Sequence, residues 1–315
     1  MNTQFLFDSL SAYKRAIVFF MILFFAYALA FGQADTPRFN EGYAKISQQG
    51  KSGFIDKLGK IQVPCKYDNV NVFENGYAVV RNKDKYGIVR KDGSLAVAVK
   101  YDLCETFSNG LALVKMGSKY GFVNESGEEI IPPAYQFAMS FSDGLAVVTA
   151  NGKNGYIDTQ GEQIIAHKYD FSLPFSEGLA VIVSNNKYGY INKAGREVIA
   201  PQYEMASAFE ENLAVIKIEG KQGVINKAGR VIIAPKYDDI RGFVNSCAIV
   251  VQNGKYGIIN QFGKEIISPI FDMLNSFDDG VAVYQQGSKF GFIDKKGNMI
   301  TAQNISEAKI ILASK

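Results

Sequence analysis

The sequence predicts an all-β chain: tandem 34-residue repeats, each a three-stranded antiparallel meander, in an open β-solenoid or superhelical array. The alternative is a closed, propeller-like ring. Three observations carry this. Phe39, Phe73, Phe107, Phe141, Phe175, Phe209, Phe243 and Phe277 recur every 34 residues with no insertion or deletion. The same register returns Ala44 through Ala282, Lys51 through Lys289, and two glycine columns, Gly53 to Gly291 and Gly59 to Gly297. Between these columns lie short β-branched and aromatic runs bounded by Gly, Asn, Asp and Lys, the chemistry of strands and turns. A 34-residue period also fits helical repeats, but two fixed glycines per unit would cost a helix about 1 kcal/mol each.

Taken in order, the chain opens on Lys14 and Arg15, then the uncharged apolar run from Ala16 to Phe31, then Gly32, Gln33 and Ala34. A charged start, an apolar middle and a small-residue exit form a secretory signal peptide over residues 1–34, with cleavage after Ala30 or Ala34. The run falls short of the roughly 20 apolar residues of a comfortable membrane span, so a membrane is met only if the segment stays uncleaved. Residues 35–38 are a short linker. Eight repeats follow over residues 39–310, and the last merges into a degenerate C-terminal cap, 301–315, with Ile305 and Ser306 where Tyr and Asp would fall.

Within a unit such as Phe141-Ser142-Asp143-Gly144-Leu145-Ala146-Val147-Val148, both faces of the first long strand are apolar, so both are covered. An unvarying Ala marks a face that a neighbouring unit approaches closely. The Phe column and Tyr169 fill the space between units, because one small meander cannot bury its own face. Segments such as Pro235-Lys236-Tyr237-Asp238 read as connectors. Propeller blades usually carry four strands and longer repeats, which favours the open array.

Composition narrows function. Lys and Arg number 34 against 31 Asp and Glu, for a formal net charge of +3, so no nucleic-acid partner is expected. Three cysteines cannot frame a disulfide scaffold. A Cys65 to Cys104 bridge is the one pairing weighed, and reduced thiols are preferred, with Cys104 and Cys247 in columns of small buried hydrophobes. His167, the sole imidazole, occupies a column otherwise rich in proline (Pro133, Pro201, Pro235, Pro269) and reads as a connector residue rather than a base. Asp56, Asn124, Asp158, Asn192, Asn226, Asn260 and Asp294 each precede a Gly by three residues. Asx turns explain them better than calcium, which needs six to eight oxygens. The acid pairs Glu210-Glu211 and Asp278-Asp279 read as solvated turn residues. No catalytic residue, metal site or cofactor is assigned, and an enzyme is not expected.

Eight stacked lysines should repel one another unless paired. Asp68, Asp102, Asp170, Glu204, Asp238 and Asp272 form a second column that can neutralise them. The competing reading is a ligand stripe, in which Lys85, Lys119, Lys187 and Lys255 bind a polyanion beside Tyr86, Tyr120, Tyr188 and Tyr256 as stacking surfaces.

The string Lys119-Tyr120-Gly121-Phe122-Val123-Asn124, followed by Gly127, Ile130, Ile131, Pro133, Tyr135 and Phe141, resembles the bacterial WG-containing repeat, and the likeness runs from residue 39 to about 300. It implies an exported or surface-associated repeat protein with no defined enzymatic activity. The family's Trp position holds Ser52, Tyr86, Tyr120, Asn154, Tyr188, Gln222, Tyr256 and Phe290 here, which weakens any aromatic ladder at that column. The functional expectation is a secreted or periplasmic, cell-envelope scaffold that binds a protein or other macromolecule across an extended β surface. The alternative is a module for cell-envelope glycans or polyanions.

Overall fold

The computed structural model describes residues 38–277 and 280–300. Among them there is no helix, and the strands form eight four-stranded antiparallel sheets in sequence order. The chain divides into two compact units, one ending at Lys100 and the other beginning at Tyr101. The segment read as a signal peptide, the expected linker up to residue 37, the expected cap over 301–315 and the Asp278-Asp279 pair lie outside the described residues.

The fourth sheet shows how the sequence builds a repeat. Its strands are Phe137–Ala138, Ala146–Ala150, Lys153–Ile157 and Gln163–Tyr169. The expected meander is therefore one strand short. The segment read as a connector is largely strand: Pro235 to Tyr237 end Val231–Tyr237, Asp238 is a bend, and the two residues after it, Asp239–Ile240, form a short strand that opens the next sheet. In the fourth sheet the corresponding short strand pairs Phe137 with Thr149 and Ala138 with Val148. His167 likewise sits within a strand, not a connector.

Each turn has the chemistry its conformation requires. Asp143 and Gly144 (φ 53° and 86°) and Asn151 and Gly152 (φ 50° and 74°) are two-residue turns with both residues left-handed, the geometry that matches the twist of a hairpin. The third turn is longer. Gly161 donates to the Asp158 carbonyl at 3.0 Å, while Asp158 Oδ1 accepts from the Gln160 and Glu162 amides at 3.0 and 2.9 Å. The Asx column thus closes turns, as its spacing predicts.

The other glycine column answers a different demand. Asn154 pairs with Tyr169 and Tyr156 with Ile165, so three residues of the fourth strand arch over the single Gly155. A Cβ at Gly155 would stand 2.6 Å from the Ile165 carbonyl oxygen. The arch recurs at Gly121, Gly189, Gly223 and Gly257.

Packing follows the strand alternation. Ala146 and Val148 face the third sheet, in one cluster with Leu111, Leu113, Phe122 and Ile131. Leu145 and Val147 face the fifth sheet, in a cluster with Phe175, Ala180, Ile182 and Ile191. The alanine column is buried throughout, at 0 to 2% exposure, which leaves no room for a larger side chain. Phe141 packs on Phe122 at 4.7 Å, Phe175 on Tyr156 at 4.9 Å and Phe209 on Tyr190 at 4.8 Å. In the second unit every such cluster joins one sheet to the next in sequence, an open tandem row, and among the described residues no sheet closes into a barrel. In the first unit, Phe54 and Val63 of the first sheet pack with Phe73, Ala78 and Val80 of the second in the same way.

Candidate ligand-binding surface

The lysine column lies at the tips of the second hairpin in each sheet, because each lysine is the first residue of a third strand. Along the column, lysines are paired with the acid 17 residues on. Lys51 meets Asp68 and Lys221 meets Asp238 at 2.5 Å, and Lys153 pairs with Asp170 and Lys255 with Asp272. The second oxygen of each acid accepts from a backbone amide of the following tip: Lys83 for Asp68, Asn185 for Asp170, Asn253 for Asp238 and Gly287 for Asp272. One carboxylate therefore ties two successive tips. The lysine hydrogen bond first, and the backbone amide next, hold these four carboxyls below the usual aspartate range.

The ladder has gaps. At the acid position for Lys119 stands Gln136, whose Oε1 still accepts from Gly152 at 3.0 Å. Glu204 spends its two oxygens on the Glu219 and Gly220 amides, at 3.0 and 3.1 Å, so Lys187 goes without it. The tip amide is capped in both cases and only the ion pair is missing.

The sequence-predicted site residues separate on this geometry. Lys119, Lys187 and Lys255 are exposed at tips of the second unit, but Lys255 is neutralised. Lys85 is exposed at the tip of the second sheet, and Tyr86 pairs across the hairpin with Arg81. The tyrosines are half-buried. Tyr120 meets Phe137 edge-on at 5.6 Å, Tyr188 packs on the core between the fifth and sixth sheets, and Tyr256 packs on the core between the seventh and eighth, with the Arg241 guanidinium 5.2 Å from its ring. Adjacent Lys and Tyr thus serve different environments. The cations that cover rings come from elsewhere: Lys115 over Tyr120, Lys168 over Tyr169 and Lys236 over Tyr237.

A second ladder, at the first turns, was not legible as such in the sequence. Glu211 is the exposed turn residue its sequence suggests, but it also has a partner: its two oxygens accept from the Asn245 and Ser246 amides of the following repeat, each at 2.8 Å. Asp143 accepts from Gly178, Glu177 from Asn212 and Asn109 from Gly144, while Ser108, Ser142 and Ser176 donate to the carbonyls of Phe141, Phe175 and Phe209. The signal was the recurrence of Glu41, Asn75, Asn109, Asp143, Glu177, Glu211 and Asn245 at the repeat spacing.

The fourth strands carry a further feature. Ile164, Val198 and Ile232, one repeat apart, are 45, 43 and 37% exposed on strands that end their sheets, and Ile300, two repeats further on, is 42% exposed, while Ile266 between them packs on the core. The remaining chemistry is quiet. All three cysteines are free thiols, and burial pushes Cys104 up to about 12. The His167 ring stacks on Tyr135 at 6.3 Å, and burial lowers its pKa.

Similarity to solved structures extends over most of the chain. A structure described as the eukaryotic initiation factor superposes with a TM-score of 0.53 at 10% identity, covering 85% of this chain and 86% of that one. BamB from Moraxella catarrhalis gives 0.43 at 12% identity, with 82% and 96% covered, and Kluyveromyces lactis Hsv2 gives 0.41 at 10%, with 76% and 92% covered. At such identities the first likeness speaks to the fold alone. No curated protein sequence matches the chain significantly. The model of the WG containing repeat matches seven times in tandem, over residues 53–86, 86–120, 120–153, 155–188, 188–221, 223–256 and 256–290, and the chain belongs to that repeat family.

Proposed function

We propose that this chain is an exported, non-enzymatic scaffold that holds a partner protein along its fourth strands. The observation that carries the reading is the recurrent exposed column Ile164, Val198 and Ile232. Stacked sheets lie about 10 Å apart, so these three residues mark an apolar stripe of about 20 Å. Exposed apolar residues that recur along one line give a partner protein a regular row of anchoring points. Chemistry is a poor use of the rest of the surface, because the acids of both ladders are already engaged with amides and ammonium groups. The export half of the reading rests on Lys14, Arg15 and the apolar run that follows them.

Two measurements test it. A photo-crosslinker at position 198 should capture a partner protein that one at Lys57 does not, and the Ile164→Ser/Ile232→Ser variant should lose that partner while melting normally. Capture from both positions alike, or a partner retained by the variant, overturns the surface. N-terminal sequencing of the protein from its native host should begin at Phe31 or Asp35. A soluble cytoplasmic species with Met1 intact overturns export.

A further inference from the structure

Charge along the tips of the second unit is cancelled unevenly. The sixth to eighth sheets bring Lys217, Lys221, Lys255 and Lys289 together with Glu204, Glu219, Asp238, Asp239 and Asp272, four lysines to five acids. The third to fifth sheets bring Lys115, Lys119, Lys153 and Lys187 together with only Asp102 and Asp170. Two different changes leave lysines unpaired there: Gln136 keeps the turn-capping bond but carries no charge, whereas Glu204 keeps its charge but turns both oxygens onto amides and leaves Lys187 without an ion pair, so capping and ion pairing are separable. Lys153, on the sheet between, stays paired.

We propose that the hairpin tips of the third and fifth sheets bind an anionic polysaccharide, with the Lys119 and Lys187 ammonium groups as its points of attachment. The two lysines lie two sheets apart, about 20 Å at ordinary sheet spacing. A polymer whose charge recurs along its length engages both at once, and joining two weak attachments multiplies avidity. A protein partner would call for an aromatic or apolar anchor at the site, but Tyr120 and Tyr188 are drawn into the packing between sheets. A nucleic acid would call for many more cations than two. This surface is separate from the apolar stripe and does not depend on it.

The test uses the full mature chain on immobilised heparin, polygalacturonate and neutral dextran, with a single-stranded oligonucleotide in solution as the competing ligand. Salt-sensitive binding to either anionic glycan and not to dextran is expected. Lys119→Gln/Lys187→Gln should lower the slope of log affinity against log salt by about two, roughly one for each ammonium group removed. Lys153→Gln/Lys255→Gln should leave it unchanged. Gln136→Asp rebuilds the missing rung, so it should lower the slope by about one with Lys119 still in place, in a protein that melts no lower than the parent. Failure to bind either glycan, tighter binding of the oligonucleotide, or full binding by Gln136→Asp overturns the proposal.

Discussion

The Lys153 ammonium and the Asp170 carboxylate are paired from one hairpin tip to the next, and the other oxygen of Asp170 holds the Asn185 amide at 3.1 Å. The pair is about half exposed, so its attraction is screened by water, and the amide bond gives the acid a second, uncharged function. Gln136 is the natural separation of the two: it caps Gly152 and carries no charge.

Acid should therefore loosen the tips. Asp170 and Asp238 sit below their unfolded values because the lysine and then the backbone amide favour the charged form. A folded value lower than the unfolded one gives stability that is complete above the unfolded value of about 3.9 and is lost as pH falls through the folded value. Asp170→Asn/Asp238→Asn keeps an oxygen for the amide and removes only the charge. Melting temperature followed from pH 7 downward should show the parent above the variant at neutral pH and converging with it below about pH 4. A constant gap down to acid would show that the loss was not electrostatic.

The two glycine columns should fail differently. Gly155→Ala drives a methyl into the Ile165 carbonyl under the arch, which neither strand can relieve without breaking register, at a cost of about 3 kcal/mol. Gly144→Ala has open space and pays only for a left-handed φ of 86°, about 1 to 2 kcal/mol. Urea unfolding at equilibrium ranks them. Equal midpoints would remove the arch as the reason for that column.

How much of this was legible in the sequence follows from what repeats. The alanine column predicted a close-packed face, and Ala146 lies fully buried against the preceding sheet. The Asx column predicted turns, because an Asx side chain acts on amides two and four residues away. The short first strand was missed because two residues such as Phe137 and Ala138 carry no periodicity, and pairing alone makes them a strand. The role of Glu211 was missed because its partners are 34 and 35 residues away, where a local reading sees only an acid beside a turn. The lysine ladder was half legible: sequence pairs Lys187 with Glu204 as readily as Lys153 with Asp170, and only the geometry shows the longer side chain turned onto two amides.

Cys104 should be chemically silent. Burial removes the thiolate from water and pushes the thiol up to about 12, so at pH 8 almost none of the reactive form exists. In a Cys65→Ser/Cys247→Ser variant, a thiol-specific disulfide reagent should react only when urea unfolds the chain, with the labelling midpoint matching that of circular dichroism. Rapid labelling in buffer would place Cys104 at the surface and contradict the packing of its strand.

The sharpest prediction concerns the length of a deletion. Removing 141–174 joins Ser140 to Phe175 and shifts every later residue by one repeat. Phe175 then takes the place of Phe141 on Phe122, Ser108 finds the Phe175 carbonyl in place of that of Phe141, and Asn109 finds Gly178 in place of Gly144. Ala138 pairs with Ile182 where it had Val148, so the composite sheet is complete. Since a repeat array sums unit and nearest-neighbour terms, the shortened chain should fold cooperatively with a strand-dominated spectrum and a somewhat lower midpoint. Removing 141–157 instead takes away the second and third strands and leaves Gln163–Tyr169 with no partner. That protein should not recover a cooperative melt. Equal tolerance of both deletions would refute the 34-residue unit, and collapse of both would show that the sheets do not act as neighbour-coupled modules.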